Sequence, residues 1–230
     1  MEKRLHVHFI GLGGIGISAL ARYYLSQKCQ ISGSDLKSSE ITDFFQQLGA
    51  QIIIGQPSQA NLNLIKKADL VVYSPAIPKT NQEFKEAKKL KKKILSYPQA
   101  LGELTKDKYT IAVSGTHGKS TTTALLGWIL VKAGLDPTVV VGTKVQDFGD
   151  SNFRLGRSNY WVIEADEYQA SFLNYWPQMI ILTNIAKDHL DYYKNFSNII
   201  KAFKKFITHL PPDGFLVLNY DDKNIQKYLM

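Results

Sequence analysis

Two rhythms alternate along this chain. Short runs of consecutive apolar residues, the pattern of buried strands, are separated by longer stretches whose apolar residues recur at helical spacing. Val7-His8-Phe9-Ile10 predicts a first strand, and Ile15, Leu20, Ala21, Tyr24 and Leu25 predict a helix over 15–26. Residues 30–33 predict a second strand, and 39–48 a helix closed by Gly49. Strands at 51–54 and 70–73 flank a helix near 59–67. A lysine-rich stretch places Phe84, Ala87, Leu90 and Ile94 near helical spacing; a strand around Ile94 and a helix around 98–104 follow. Strand–helix alternation of this kind predicts a parallel sheet with helices on both faces.

The polar segment Thr105-Lys106-Asp107-Lys108 interrupts the pattern, which then restarts, so the boundary is placed there: one domain over 1–106, a second over 107–230. In the second, residues 109–113 predict a strand ending in a glycine loop, and 119–133 a helix stopped by Gly134. Strands are predicted at 138–141, 160–163, 179–182 and 215–218. Residues 142–158, rich in Gly, Asp, Asn and Ser, predict a long loop or hairpin, and 196–210 an amphipathic helix with Phe203, Phe206 and Ile207 on one side.

Composition narrows the function classes. A single cysteine, Cys29, excludes an intramolecular disulfide and a cysteine metal cluster. The apolar run after Met1-Glu2-Lys3-Arg4 is too short for a secretory signal, and no stretch reaches the length of a membrane span, so a cytoplasmic protein without membrane insertion is expected. Much of the net charge of +8 comes from residues 85–93, six of which are lysine. Without arginine or interleaved aromatics this reads as a solvated helix face rather than a nucleic-acid site, though the positive field favours anionic small molecules.

Two glycine turns carry the chemistry. Gly11-Leu12-Gly13-Gly14-Ile15-Gly16 fits G-x-G-x-x-G between a strand and a helix, with Asp35 just past the second strand. Glycines there let the backbone approach a diphosphate at the helix N-terminus, and the acid can accept from a ribose hydroxyl; the pattern does not name the nucleotide, and NAD is its default. Gly115-Thr116-His117-Gly118-Lys119-Ser120-Thr121 is a shortened P-loop, since Val113 stands where the full pattern has glycine. Its N–H groups would cradle ATP phosphates, Lys119 would span the terminal ones, and the Ser120 hydroxyl would reach Mg²⁺. Of the acids in Glu164-Ala165-Asp166-Glu167, Glu164 continues its strand directly and is the favoured metal ligand. His189, beside Asn184 and Asp188, falls at the carboxyl edge of the sheet, where such folds bind ligands.

The nine residues Gly115 to Thr123 resemble the ATP loop of the Mur ligases, the amino-acid-adding enzymes of peptidoglycan synthesis. His8 to Gly16, Ser32 to Asp35, Ser74 to Pro78, Glu164 to Glu167, and Thr183-Asn184-Ile185 with Asp188-His189 are similar to the members that act on UDP-N-acetylmuramate, in the family's order. The resemblance implies a Rossmann-like N-terminal domain that holds UDP-sugar rather than NAD, followed by part of a P-loop-type α/β ATPase domain. Gly13, Gly14 and Gly16 would then face the diphosphate, Ser34 and Asp35 would lie near the uridine, and Gly11 and Ser74 would complete the UDP-sugar site. Ser120 and Glu164 would hold one Mg²⁺ and His189 a second, with Lys119 and His189 the catalytic pair. The implied substrates are UDP-N-acetylmuramate, ATP and L-alanine. Loop residues Asn152, Arg154 and Gly156 would touch the sugar.

Tyr168-Gln169 stands where the alanine-adding branch has Ser-Asp and resembles the branch that recycles murein peptides, which is the alternative within the family. Outside it stand an NAD-dependent oxidoreductase and a non-catalytic nucleotide-binding fragment. Members run well beyond this length, so the resemblance implies a truncated form without the C-terminal amino-acid-binding domain, inactive alone. Oligomeric state is not written in these residues.

Overall fold

The computed structural model describes residues 4–230, in two compact units, Met1–Ala100 and Leu101–Met230. The first unit contains β1 (His6–Ile10), α1 (Ile15–Ser26), β2 (Gln30–Asp35), α2 (Glu40–Gln47), β3 (Gln51–Ile54), α3 (Gln59–Lys67), β4 (Leu70–Tyr73), α4 (Gln82–Lys89) and β5 (Lys93–Ser96). Its five strands are all parallel in the order β3-β2-β1-β4-β5. The strand order reverses at β1, which is buried along its whole length. Ile10, Val71, Ile65, Ala68, Phe84 and Ala87 form the core between the sheet and α3–α4. The helices begin as their sequences dictate: Ser39 and Thr42 form a capping box on α2, and the Asn81 side chain accepts the Phe84 amide of α4.

α5 (Tyr97–Thr105) contains the division between units. The second unit continues with β6 (Tyr109–Ser114), α6 (Lys119–Lys132), β7 (Thr138–Val145), β8 (Ser151–Arg154), β9 (Tyr160–Glu164), β10 (Met179–Leu182), α7 (Leu190–Tyr193), α8 (Phe196–Ile207), β11 (Phe215–Leu218) and α9 (Lys223–Leu229). The sheet order is β11-β10-β6-β9-β7-β8, and only β8 is antiparallel to its neighbour. Both faces of the sheet are packed: Val113, Val139, Val141 and Val162 form one layer with Leu126 and Leu130 of α6, while Phe172 packs on Phe203 and Phe206 of α8.

The fold class and the strand–helix order follow the pattern of the sequence, including the strand at Ile94 and the hairpin at 142–158, and the structure adds detail at the lysine-rich helix. The lysine-rich helix ends at Lys89, Lys91 turns at a positive φ of 52°, and Ile94 lies in β5. Ile94 and Leu95 gain more as partners of Val71 and Val72 than as a last helical turn. Lys92 is not merely solvated: its ammonium donates to the Lys66 and Ala68 carbonyls at the C-terminal end of α3, 2.7 and 2.8 Å away. The 142–158 stretch is a hairpin, β7 running on to Val145 and returning as β8.

Gly102 shows how tightly α5 packs in the second unit, because a Cβ there would collide with the Asn174 carbonyl. Backbone cannot yield as a flexible side chain can. We expect Gly102→Ala to destabilise the protein by about 1–3 kcal/mol, read as a lower midpoint in thermal unfolding; an unchanged midpoint would mean that the 168–174 turn moves freely.

Candidate functional site

Strand register builds both candidate sites. In the first sheet Ile10 lies opposite Ser34 on one side and Tyr73 on the other, so Gly11, Asp35 and Ser74 emerge side by side at the carboxyl edge. The Ser34 carbonyl accepts the amides of Gly11 and Leu12, at 2.8 and 3.0 Å, and fixes the turn. Gly11 has φ 81°, which favours glycine. A cavity of about 270 Å³ opens there, lined by Gly11, Gly14, Ser34, Asp35, Ser74 and Glu83 among others. Gly13 and Gly16 are not in its lining. Gly13 donates its N–H to Asp35 Oδ2 at 2.8 Å, and a Cβ on Gly16 would press on the Tyr97 ring at 3.0 Å. The Asp35 carboxylate therefore occupies the loop amide that the motif reading assigned to a diphosphate.

In the second sheet Ser114 lies opposite Leu182 and Val113 opposite Glu164, which sets the loop at 115–118 between Thr183-Asn184 and the acidic segment. Gly115, at φ 133°, leaves no room for a Cβ beside Thr183 Oγ1 and the Asn184 backbone. Asn184 clamps the loop: its carbonyl accepts Thr116 N–H at 3.1 Å, its Oδ1 accepts His117 N–H at 3.0 Å, and its Nδ2 donates to the His117 carbonyl at 2.8 Å. Gly118 caps α6 at φ 81°. Among the described residues the N–H groups of Gly118, Lys119, Ser120 and Thr121 have no acceptor. Four successive donors at the positive end of a 14-residue helix form an anion cradle.

The acids divide into two groups around this cradle. Ser120 Oγ donates to Glu164 Oε1 at 3.0 Å, while Gly142 N–H donates to Oε2 at 2.7 Å. Glu167 faces the other way. Its carboxylate is buried, its Oε2 lies 2.7 Å from Lys119 Nζ, and its Oε1 is buried with no hydrogen-bond partner. His189 Nε2 is 3.7 Å from that Oε1. One ligand atom each from Asp166, Glu167 and His189 fall within 4.8 Å of one another. Burial pushes the Glu167 carboxyl above its ordinary range, against the opposing pull of Lys119. A carboxylate oxygen buried beside a histidine without a donor is suited to a cation.

Backbone strain gathers here as well. Gln169, Ala170 and His189 hold left-handed φ of 52°, 55° and 50°. Tyr168 lies against the His189 ring at 4.7 Å between centroids, and its hydroxyl donates to Asp191 Oδ2 at 3.2 Å. Lys119, Ser120, Glu164 and His189, the candidates named from sequence, thus stand around one loop. Glu167 was passed over in favour of Glu164, because both follow the same strand and only the turn after Ala165 separates their directions. Arg154 and Gly156 are engaged within their own hairpin: the guanidinium binds Asp136 Oδ1 at 2.6 Å and the Pro137 carbonyl at 2.7 Å, and a Cβ on Gly156 would strike the Asp136–Pro137 backbone. The Arg154 hydrogen bond, with the Arg157 amide, holds the Asp136 carboxyl below its usual range. Asn152 is buried in β8.

Comparison with known proteins gives matches to both units. Residues 6–109 match the model of the Mur ligase family catalytic domain, and residues 113–230 that of the Mur ligase middle domain. The chain is 46% identical over 229 residues to the UDP-N-acetylmuramate–L-alanine ligase of Clostridium botulinum strain Langeland, covering 99% of this chain and 49% of that one. The corresponding ligase of Clostridium kluyveri is also 46% identical, over 228 residues and the same shares. The chain thus spans about half the length of the curated relatives it matches. Among solved structures, UDP-N-acetylmuramate:L-alanyl-γ-D-glutamyl-meso-diaminopimelate ligase from Neisseria meningitides superposes with a TM-score of 0.89 at 29% identity, over 99% of this chain and 75% of that one. UDP-N-acetylmuramate–alanine ligase from Thermotoga maritima gives 0.82 at 30%, over 96% and 50%.

The Lys119–Glu167 pair yields a pH-dependent expectation. In Lys119→Met the opposing cation is gone, and the buried Glu167 carboxyl rises further. A carboxyl whose folded pKa exceeds its unfolded one contributes stability that is complete below the unfolded pKa and is lost as pH rises through the folded one. The variant should therefore be less stable than the parent by about 3 kcal/mol at neutral pH, with the gap closing as the carboxyl is protonated. Thermal melts across a pH series check this, and a gap independent of pH would show that charge pairing is not what Lys119 contributes.

Proposed function

Because the chain belongs to the Mur ligase family, we propose that it forms the UDP-sugar-binding and ATP-phosphate-binding part of an ATP-dependent UDP-N-acetylmuramate–L-alanine ligase of peptidoglycan precursor synthesis. The observation that carries this reading is the pairing of an open anion cradle at Gly118–Thr121 with Lys119 and two groups of candidate metal ligands. The cavity beside Gly11 is the site for UDP-N-acetylmuramate, and the cradle takes ATP phosphates. The two together account for both glycine turns, whereas an oxidoreductase would leave the second unexplained.

Ser120 and Glu164 would hold one Mg²⁺; His189, with the unpaired oxygen of Glu167 and with Asp166, would hold another. When bound, the cations neutralise phosphate charge and polarise the transferring phosphoryl group. The chain's own residues orient and stabilise. Lys119 exchanges Glu167 for the terminal phosphates, and the α6 amides receive oxygens whose charge grows during transfer. The γ-phosphoryl group passes to the lactyl carboxylate of UDP-N-acetylmuramate, forming an acyl phosphate and releasing ADP. The amine of L-alanine attacks the acyl carbon, loses a proton, and phosphate leaves. Among the described residues no helix is long and apolar enough to cross a membrane, and all three substrates are small, water-soluble molecules, which supports a cytoplasmic site of action.

A second reading, ligation of a murein peptide in place of L-alanine, is favoured by Tyr168 and by the superposition on the peptide-adding ligase, while the 46% identity favours alanine. In the full-length enzyme, phosphate release from ATP and UDP-N-acetylmuramate with L-alanine or with L-alanyl-γ-D-glutamyl-meso-diaminopimelate separates the two. Lys119→Ala and His189→Ala are each expected to slow the reaction by about 100-fold or more while UDP-N-acetylmuramate still binds. Retained turnover in both variants would refute the mechanism.

A further inference from the structure

A chain of buried polar side chains runs from the cavity beside Gly11 into the core of the first unit. Ser34 Oγ donates to Glu83 Oε1 at 2.8 Å. Glu83 Oε2 pairs with His8 Nε2 at 2.9 Å, His8 Nδ1 lies 2.8 Å from Ser32 Oγ, and Ser32 Oγ lies 2.7 Å from His6 Nε2. All five residues are at most 4% exposed. The register creates the line-up. His6 and His8 share one face of β1, Ser32 and Ser34 one face of β2, and His8 is paired with Ser32. The first turn of α4 brings Glu83 onto that face, with its carboxylate at the helix N-terminus.

We propose that Glu83 is a positioning residue of this cavity: it binds the Ser34 proton, so Ser34 meets a ligand only as an acceptor, and the ligand must bring a hydroxyl or N–H donor to that point. This rests on the cavity being the nucleotide–sugar site, and it gives a physical reason for the uridine end, expected there from the family resemblance, to lie at Ser34. A diphosphate presents only acceptors and would face the lone pairs of Ser34, Asp35 and Glu83. A nucleoside presents the donors that such a wall requires, namely ribose hydroxyls and the base N–H. The same serine fixes the glycine turn, since its carbonyl accepts Gly11 and Leu12 N–H. Glu83 thereby sets the polarity of the wall at Ser34, while the Ser34 backbone holds the turn. Two satisfied carboxylate oxygens, one on Ser34 and one on His8, hold the Ser34 hydroxyl in one orientation where a single contact would leave it free to rotate.

Isothermal titration of the protein with UDP-N-acetylmuramate and UDP tests this, with circular dichroism and melting to establish folding of each variant. Ser34→Ala and Glu83→Leu should each weaken binding about tenfold or more. The double variant should fall no further than about threefold below either, because both changes remove one interaction. Glu83→Gln, whose Oε1 still accepts from Ser34 and whose amide can donate to His8, should recover most of the affinity lost in Glu83→Leu. Additive losses, unimpaired binding by Glu83→Leu, or Glu83→Gln as weak as Glu83→Leu would overturn the role of Glu83 and leave the nucleotide site standing. A wild-type protein that binds neither ligand would overturn the site and this inference together. Independent of any variant, at least one of N3-methyl-, 2′-deoxy- and 3′-deoxy-UDP should bind wild type about tenfold more weakly than UDP; equal affinity for all three would refute the donor requirement.

Discussion

The backbone amides that end the central strand of each parallel sheet have no partner inside the sheet, and much of this molecule is arranged around that shortage. Neighbouring strands diverge at β1 and at β6, so the residues just beyond Ile10 and Ser114 enter a crevice rather than another ladder. In the first unit the chain answers with its own acceptors, the Ser34 carbonyl for Gly11 and Leu12 and the Asp35 carboxylate for Gly13. In the second, Asn184 takes the amides of Thr116 and His117, and those from Gly118 to Thr121 remain for an anion. One constraint is thus met in two ways, and the difference separates a loop closed by the chain's own acceptors from a cradle of donors.

The strands and helices that surround these sites were legible because their apolar runs and glycine stops are local. The strands at 7–10 and 70–73, the helix stop at Gly49 and the glycine loop at 115–118 each depend on neighbours within a few residues. What escaped depends on partners far apart in sequence. His8 and Glu83 are separated by 75 residues, so a histidine inside an apolar run carried no sign of its carboxylate. Glu167 escaped for a different reason. It lies beyond the end of β9, just before the left-handed backbone at Gln169 and Ala170, and no glycine advertised that conformation.

The hairpin of β7 and β8 illustrates a related division of labour. The family resemblance implies contact with the sugar here, and the structure places the Arg154 guanidinium on Asp136 and Pro137. The same strand β7 supplies Gly142, whose N–H orients Glu164 and whose missing side chain leaves room for that carboxylate. Of this segment, a glycine thus reaches the Glu164 carboxylate through its backbone, while the Arg154 side chain is engaged beside the hairpin.

Lys119 has one ammonium and two claimants. In this structure it pairs with Glu167; under the proposed function phosphates on the α6 cradle would draw it away and leave both Glu167 carboxylate oxygens without a cation, beside His189. On that proposal, arrival of the polyanion and recruitment of a cation would become a single exchange, in which each ligand raises the other's affinity by the same factor. A buried ion pair that looks like a structural strut is in this sense a lock with two keys, each turning more easily when the other is already in place.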